Sequence, residues 1–334
     1  MKILVTGGAG FIGSNFINYI LDKYPNYTVI NLDKLTYAGN LDNLLKVANN
    51  PRYSFVQGDI ADPIKVVEVL GQGVEAIINF AAETHVDRSI HLGARDFVLT
   101  NALGVQTLLD ATRQFKIKKI VQISTDEVYG SLELNDGQYF TEDTAFQPNV
   151  PYAAAKAAGD LLCRAAWKTF ALPVVVSHCS NNYGPYQFPE KLIPFFITRA
   201  SQNLPLPLYG DGLNVRDWLY VRDHCTAIDA MLHKGVPGQV YNIGGHNEMS
   251  NLDIAKIILK QLNKSEDLIT FVKDRPGHDR RYAIDASKIA QELDWRPAYD
   301  FTKAIKETVD WYLNNQEWVK NLLARQSAFN EHLK

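Results

Sequence analysis

The stretch Lys2-Ile3-Leu4-Val5-Thr6-Gly7-Gly8-Ala9-Gly10-Phe11-Ile12-Gly13 decides the fold. Residues 2–6 read as a strand, Gly7, Gly10 and Gly13 follow at GxxGxxG spacing, and residues 14–21 have a helical pattern. Glycines at a strand-to-helix turn allow a tight bend and let the backbone approach a pyrophosphate, which the helix N-terminus favours through its free N–H groups and dipole. Alone the motif is weak, because many glycine-rich turns serve geometry only. Asp33 strengthens it, standing 20 residues beyond Gly13 at the end of the next apolar run. A carboxylate there can accept hydrogen bonds from an adenosine ribose and would repel a 2′-phosphate, which points to NAD rather than NADP. The bland alternative for Asp33 is an ordinary turn or helix-cap residue.

Outward from this motif, short apolar runs at 2–6, 28–32, 53–57, 76–80, 120–124 and 174–177 alternate with helical patterns. That alternation predicts an α/β, Rossmann-type, doubly wound parallel sheet covered on both faces. Residues 92–115 and 152–170 each read as one long helix. After about Ser180 the pattern changes to a proline-bearing segment at 185–207, shorter helices and isolated strands such as 239–243. The expected division is a dinucleotide-binding domain over 1–180, to which some later segments return, and a smaller substrate-binding region over 181–334. The charged end after Glu317 reads as a solvated helix. Asp59 and Ile60, and Phe80, Ala81 and Ala82, fall at carboxyl ends of strands, the edge at which such sheets bind ligands; small alanines there would serve packing equally well.

With 334 residues and a formal net charge of -3, the chain gives no global electrostatic reason to expect nucleic acid or an anionic membrane as partner. No apolar run reaches the roughly 18 residues of a membrane span, and the first strand meets glycines too soon for a signal-peptide core. Cys163, Cys179 and Cys225 have no CxxC spacing, and His85, His178 and His224 are not spaced as ligands, so neither disulfides nor a metal is expected. The expected location is the cytoplasm.

Tyr152 and Lys156 form YxxxK at the start of the second long helix, one turn apart on one face. A tyrosine is a poor base at neutral pH unless a nearby cation favours its phenolate. Such pairs arise by chance in many helices, but Ser124-Thr125 at the preceding strand end offers a hydroxyl to complete a Thr/Tyr/Lys set. This set and the glycine turn resemble the extended short-chain dehydrogenase/reductase superfamily. Asp126 and Glu127 follow directly. Two adjacent carboxylates at a strand end usually make a solvated turn; beside a hydride-transfer set they offer the separate acid and base that an elimination needs.

The run Ile123-Ser124-Thr125-Asp126-Glu127-Val128-Tyr129-Gly130 resembles the signature of the dTDP-glucose 4,6-dehydratases. Further segments resembling that family span nearly the whole chain: Asp33-Lys34-Leu35-Thr36-Tyr37-Ala38-Gly39-Asn40-Leu41, Ala82-Glu83-Thr84-His85-Val86-Asp87-Arg88-Ser89, Asn181-Asn182-Tyr183-Gly184-Pro185-Tyr186, Phe188-Pro189-Glu190-Lys191-Leu192-Ile193-Pro194, Arg216-Asp217-Trp218-Leu219-Tyr220-Val221 and Asp274-Arg275-Pro276-Gly277-His278-Asp279-Arg280-Arg281-Tyr282. Two departures are the alanines between Tyr152 and Lys156, where the family carries serines, and Thr84, where serine is common. Neither removes a reacting group.

The resemblance implies that NAD oxidises C4 of dTDP-glucose with Tyr152 as base, that Glu127 takes the C5 proton, that Asp126 protonates the leaving C6 hydroxyl, and that hydride returns to C6. It implies cofactor contacts at Gly7, Gly10, Phe11, Ile12, Gly13, Asp33, Lys34, Leu35, Thr36, Gly39, Asp59, Ile60, Phe80, Ala81, Ala82, Thr84, Thr100, Tyr152, Lys156 and Asn182. Substrate contacts are implied at Thr84, Thr125, Asn181, Glu190, Lys191, Leu192, Pro207, Tyr209, Arg216, Asn251, Arg275 and His278. Cations such as Lys191, Arg216 and Arg275 suit a diphosphate; read alone, residues 275–281 could be a solvated basic patch. The family also implies a homodimer, for which the two long helices could supply a four-helix interface. A nucleotide-sugar 4-epimerase on the same scaffold needs no C5 base or C6 acid, so the carboxylate pair argues against it, as the Thr/Tyr/Lys set argues against a dinucleotide-binding regulatory protein that has lost catalysis.

Overall fold

The computed structural model describes residues 1–91 and 93–327. The apolar runs form the parallel strands β1 (Lys2–Thr6), β2 (Thr28–Asp33), β3 (Tyr53–Gln57), β4 (Ala76–Asn79), β5 (Lys119–Thr125) and β6 (Val174–Cys179). They assemble with a later strand, Val240–Ile243, into one seven-stranded sheet. Strand side chains alternate between faces, so Ile3 and Val5 of β1 join one apolar core while Leu4 joins the other. Burial on both faces explains why the inner strands read as nearly continuous apolar runs, whereas β3, at the sheet edge, is only half-buried and carries Ser54 and Gln57.

Helix α1 (Phe11–Lys23) follows β1 and takes Gly13 into its first turn. α2 (Pro63–Leu70) is started by Asp62, whose carboxylate accepts from the N–H groups of Ile64 and Lys65, with Pro63 where no N–H is needed. The helix expected over 92–115 is interrupted. Leu92 lies outside the described residues; α3 (Val86–His91) precedes it, and after Gly93, at φ +94°, come α4 (Arg95–Val98), a π-helical segment (Leu99–Gly104) and α5 (Val105–Phe115). The wider π turn adds one residue per turn and breaks the regular apolar period. α6 (Pro151–Phe170) packs beside this segment, and Gly159 permits the approach: a Cβ there would lie 2.4 Å from the Asn101 carbonyl oxygen.

β7 (Asn181–Tyr183), α7 (Leu192–Ser201), β8 (Leu206–Tyr209), β9 (Val215–Tyr220) and α8 (Val221–Lys234) come next. β10 (Val240–Ile243) then pairs with β6 in the main sheet. β11 (Glu248–Ser250), β9 and β7 make a three-stranded sheet, and β12 (Ile269–Val272) pairs with β8. α9 (Asn251–Gln261) begins with a capping box of Ser250 and Asp253; α10 (Ser287–Leu293), α11 (Phe301–Asn314) and α12 (Gln316–Ser327) close the described chain. α12 is not simply a solvated helix: Val319 and Leu322 are buried, and the Trp318 indole N–H donates to Asn43 Oδ1 at 2.9 Å.

The sheet order β10-β6-β5-β4-β1-β2-β3 reverses direction between β4 and β1. Connections leaving the two strands there run to opposite sides, which opens a crevice beyond their carboxyl ends. Thr6 and Asn79, at the ends of β1 and β4, line up with Gln122 in the middle of β5. The Thr6 hydroxyl donates to Asn79 Oδ1, and Asn79 Nδ2 to Gln122 Oε1 at 2.7 Å, so this buried polar rung is satisfied beneath the crevice.

Candidate active site

A groove of about 310 Å³ occupies that crevice and runs from Asp33 to Tyr152. At its floor Gly7 has φ +67°, and a Cβ on Gly13 would lie 2.4 Å from the Gly7 carbonyl oxygen. The turn therefore keeps its shape only with glycine at both positions. Asp33 is buried at the end of β2, where Oδ2 accepts from the Ala9 N–H and Oδ1 from the Leu35 N–H, both at 2.8 Å. Burial raises its pKa, and those two N–H groups pull the other way. A glycine cradle leading to a carboxylate held in place by backbone donors fits the pyrophosphate and ribose of a dinucleotide.

The residues expected to contact a cofactor all line this groove except Leu35, which contributes its N–H to Asp33 instead. Thr100 reaches the groove from the π segment. Beside it, Asn101 exchanges hydrogen bonds with the backbone of Glu83 at 3.0 and 2.9 Å. Asn182 is held by His224 Nδ1 at 2.9 Å, and burial pushes that imidazole down to about 3, which keeps it neutral.

At the other end β5 delivers Thr125, and a single 3₁₀ turn, 126–129, carries Asp126 and Glu127. Thr125 Oγ1 starts the turn by accepting from the Glu127 N–H at 3.3 Å. Tyr152 and Lys156 project from the first turns of α6, one above the other. The Lys156 ammonium donates to the Ile123 carbonyl at 2.5 Å. Burial drives the Lys156 pKa down, and Asp160, one turn further on, draws it back. The Tyr152 phenol is pushed well above its usual value by burial and then by Glu127, with the Thr125 hydroxyl opposing them.

The two carboxylates differ. Asp126 is buried, and burial, with Glu127 and Asp217 adding repulsion, raises its pKa well above the usual range. Its Oδ2 has no hydrogen-bond partner among the described residues. Burial raises Glu127 as well, but Arg275, Arg216 and Lys191 oppose that rise with positive charge. The pair is thus biased toward a protonated Asp126 beside a more readily ionised Glu127.

The expected substrate residues divide. Thr84, Thr125, Asn181, Glu190 and Lys191 line the groove, whereas Leu192, Pro207, Tyr209, Arg216, Asn251, Arg275 and His278 do not. Several of the second group gather beyond Glu127: Arg275 pairs with Asp87 at 3.1 Å, Arg216 lies 4.3 Å over the Tyr282 ring, and Tyr209 meets His278 edge-on. Residues 275–281 are not a uniformly solvated basic patch, because Arg281 is buried and ion-paired to Glu248 and Asp136. Asn181 Oδ1 and Arg275 Nε are buried without partners among the described residues, as a site built for a polar ligand would leave them.

Sequence reasoning missed the polar network behind Lys156. Ser124 Oγ donates to Asp160 Oδ2 at 2.6 Å; His178 bridges that oxygen and the Tyr129 hydroxyl, at 3.2 and 2.6 Å. Spacing of Lys156 and Asp160 by one helical turn was the available signal; nothing local marks His178.

The family model described as GDP-mannose 4,6 dehydratase matches residues 4–308. A dTDP-glucose 4,6-dehydratase from Neisseria meningitidis is 48% identical, with 96% of each chain covered. The solved structure of dTDP-glucose 4,6-dehydratase from Bacillus anthracis, in complex with NAD, aligns with a TM-score of 0.91 at 50% identity over 96% of this chain and 99% of that one. The Streptomyces venezuelae dTDP-glucose 4,6-dehydratase, also solved with NAD, aligns at 0.93 and 48% identity over 96% and 100%. Near-complete coverage at about half identity, on a scaffold with Thr125, Tyr152, Lys156 and the carboxylate pair at one groove, leaves a single conclusion: this chain belongs to the GDP-mannose 4,6 dehydratase family, alongside the dTDP-glucose 4,6-dehydratases.

Proposed function

We propose that the protein is an NAD-dependent hydro-lyase that converts dTDP-glucose to dTDP-4-dehydro-6-deoxy-D-glucose and water. The observation that carries this reading is the split environment of Asp126 and Glu127 beside the Tyr152 and Lys156 pair. NAD, held by the glycine turn and Asp33, would supply the hydride acceptor for C4 and the hydride donor for C6. Tyr152 removes the C4 hydroxyl proton; Lys156 supplies the positive charge that favours its phenolate, and Thr125 hydrogen-bonds the reacting oxygen. Once C4 is a ketone the C5 proton is acidified; Glu127 takes it and, after water has left, gives a proton back to C5 as hydride reaches C6. Asp126, whose carboxyl burial and neighbouring carboxylates push well up, is the acid that donates to the C6 hydroxyl so that it departs as water. Lys191, Arg216 and Arg275 hold the diphosphate.

Incubation of the purified protein with dTDP-glucose and UDP-glucose in parallel, with products identified by mass and NMR, tests this. The 4-dehydro-6-deoxy product from dTDP-glucose is expected; a C4 epimer instead would make the protein an epimerase. Because Asp33 occupies the ribose position, NAD is expected to be released on denaturation and to support turnover better than NADP. Higher turnover with NADP would refute that role of Asp33.

The assembly is a homodimer in this reading, supported by exposed Val98, Leu99 and Leu103 of the α4–α5 stretch and Leu161 of neighbouring α6. Leu103→Glu with Leu161→Glu is expected to halve the mass found by light scattering, whereas an unchanged mass would put the interface elsewhere. The cytoplasm suits three cysteines that are all free and buried, and no described helix is long and apolar enough to cross a membrane.

A further inference from the structure

β2 lies on one side of the switch point and β6, from which the chain runs through β7 to Glu190, lies on the other; Tyr37 and Glu190 both line the groove, so a contact between their segments bridges it. One such contact exists. Tyr37, in the turn after β2, donates its hydroxyl to Glu190 Oε1 at 3.1 Å. His85, from the segment after β4, brings Nε2 within 3.2 Å of the other oxygen, Oε2. The Tyr37 ring is fixed between the edge of Phe188, with centroids 5.5 Å apart, and the Arg88 guanidinium 4.2 Å from its face. Burial would raise the Glu190 carboxyl, but His85 and Lys191 outweigh it and hold it below its usual value. Burial drives the Tyr37 phenol well above its own, so it remains a donor facing an ionised acceptor.

We propose that Tyr37, Glu190 and His85 form a clasp across the dinucleotide crevice that retains the cofactor from one turnover to the next. The clasp rests on the reading of the groove as an NAD site and on a reaction that returns NAD to its starting state. Such a reaction never requires cofactor release, and loss of the reduced cofactor midway would strand the 4-ketone. Tyr37 and His85 are positioning residues: they join three segments over the groove and take no part in the proton transfers.

The test is the rate at which radiolabelled NAD leaves the loaded protein when chased with excess unlabelled NAD. Tyr37→Phe removes one hydrogen bond to a charged acceptor and is expected to raise that rate about tenfold without slowing association. His85→Gln is expected to act in the same direction and carries the test if the first variant folds poorly, as judged by its melting temperature. Glu190→Gln, whose amide oxygen can still accept from Tyr37, should have the smaller effect. Unchanged release from folded Tyr37→Phe and His85→Gln overturns the clasp and leaves the dehydratase reading standing. Failure of the wild type to take up labelled NAD overturns the cofactor reading and the clasp with it. Accelerated release from a protein that yields no 4-dehydro-6-deoxy product would sustain the clasp while refuting the proposed reaction.

Discussion

Glu127→Gln is expected to lower dehydration by about 10²–10⁴-fold, the usual contribution of a positioned general base, while C4 oxidation continues. The substitution keeps the size of the side chain and removes only its capacity to take the C5 proton. Reduced cofactor should therefore accumulate on the enzyme, visible as NADH absorbance after mixing with dTDP-glucose. Asp126→Asn should fail at the next bond, departure of the C6 hydroxyl, with the defect easing when C6 carries a better leaving group. In the wild type, deuterium placed at C4 should end at C6, and solvent hydrogen should enter only at C5. The sign of the pH dependence follows from the same site. Glu127 must be ionised to act, and its pKa is raised by burial, so the acid limb of the elimination rate should lie above the pH expected for a free glutamate. Unchanged dehydration by Glu127→Gln would return the pair to the role of a turn.

Tyr152→Phe should block the first step rather than the second. It deletes one oxygen from a buried ring and leaves nearly all the packing of α6, so dTDP-glucose binding is expected to persist. The loss should be about 10²–10⁴-fold in the rate of C4 oxidation, the contribution of a positioned base, with no burst of NADH absorbance. That outcome separates it from Glu127→Gln, in which the burst survives. Burial raises the phenol well above its usual value in the absence of ligands, so its phenolate depends on neighbouring positive charge, and Lys156→Met should reproduce much of the defect. Near-normal turnover by Tyr152→Phe would remove the tyrosine from the chemistry.

What could be read along the chain was whatever repeats or recurs locally. Strand and helix periodicity gave the parallel sheet, because the inner strands β1, β2, β4, β5 and β6 are buried on both faces and each is one short, largely apolar run. The glycine turn and Asp33 marked one end of the groove, and Tyr152 with Lys156 the other, since each constellation lies within one strand-turn-helix unit or one helical turn. The break of the 92–115 helix was not legible: a π segment shifts the period by one residue, and within it Asn101 bonds the backbone of Glu83, 18 residues away, a contact no local pattern announces. Nor did composition reveal the buried face of α12, where Val319 joins the main apolar core and Trp318 reaches Asn43, far away along the chain.

The sequence by itself determined the fold class and supplied the candidate reacting groups, because backbone conformation and side-chain chemistry are set over a few residues. Only the tertiary structure decided that burial and like charge push the Asp126 carboxyl up while cations oppose the rise of Glu127, and that Tyr37 meets Glu190 at the groove. Those outcomes follow from desolvation and from charges far apart along the chain, and they exist only once the order of strands in the sheet has placed them.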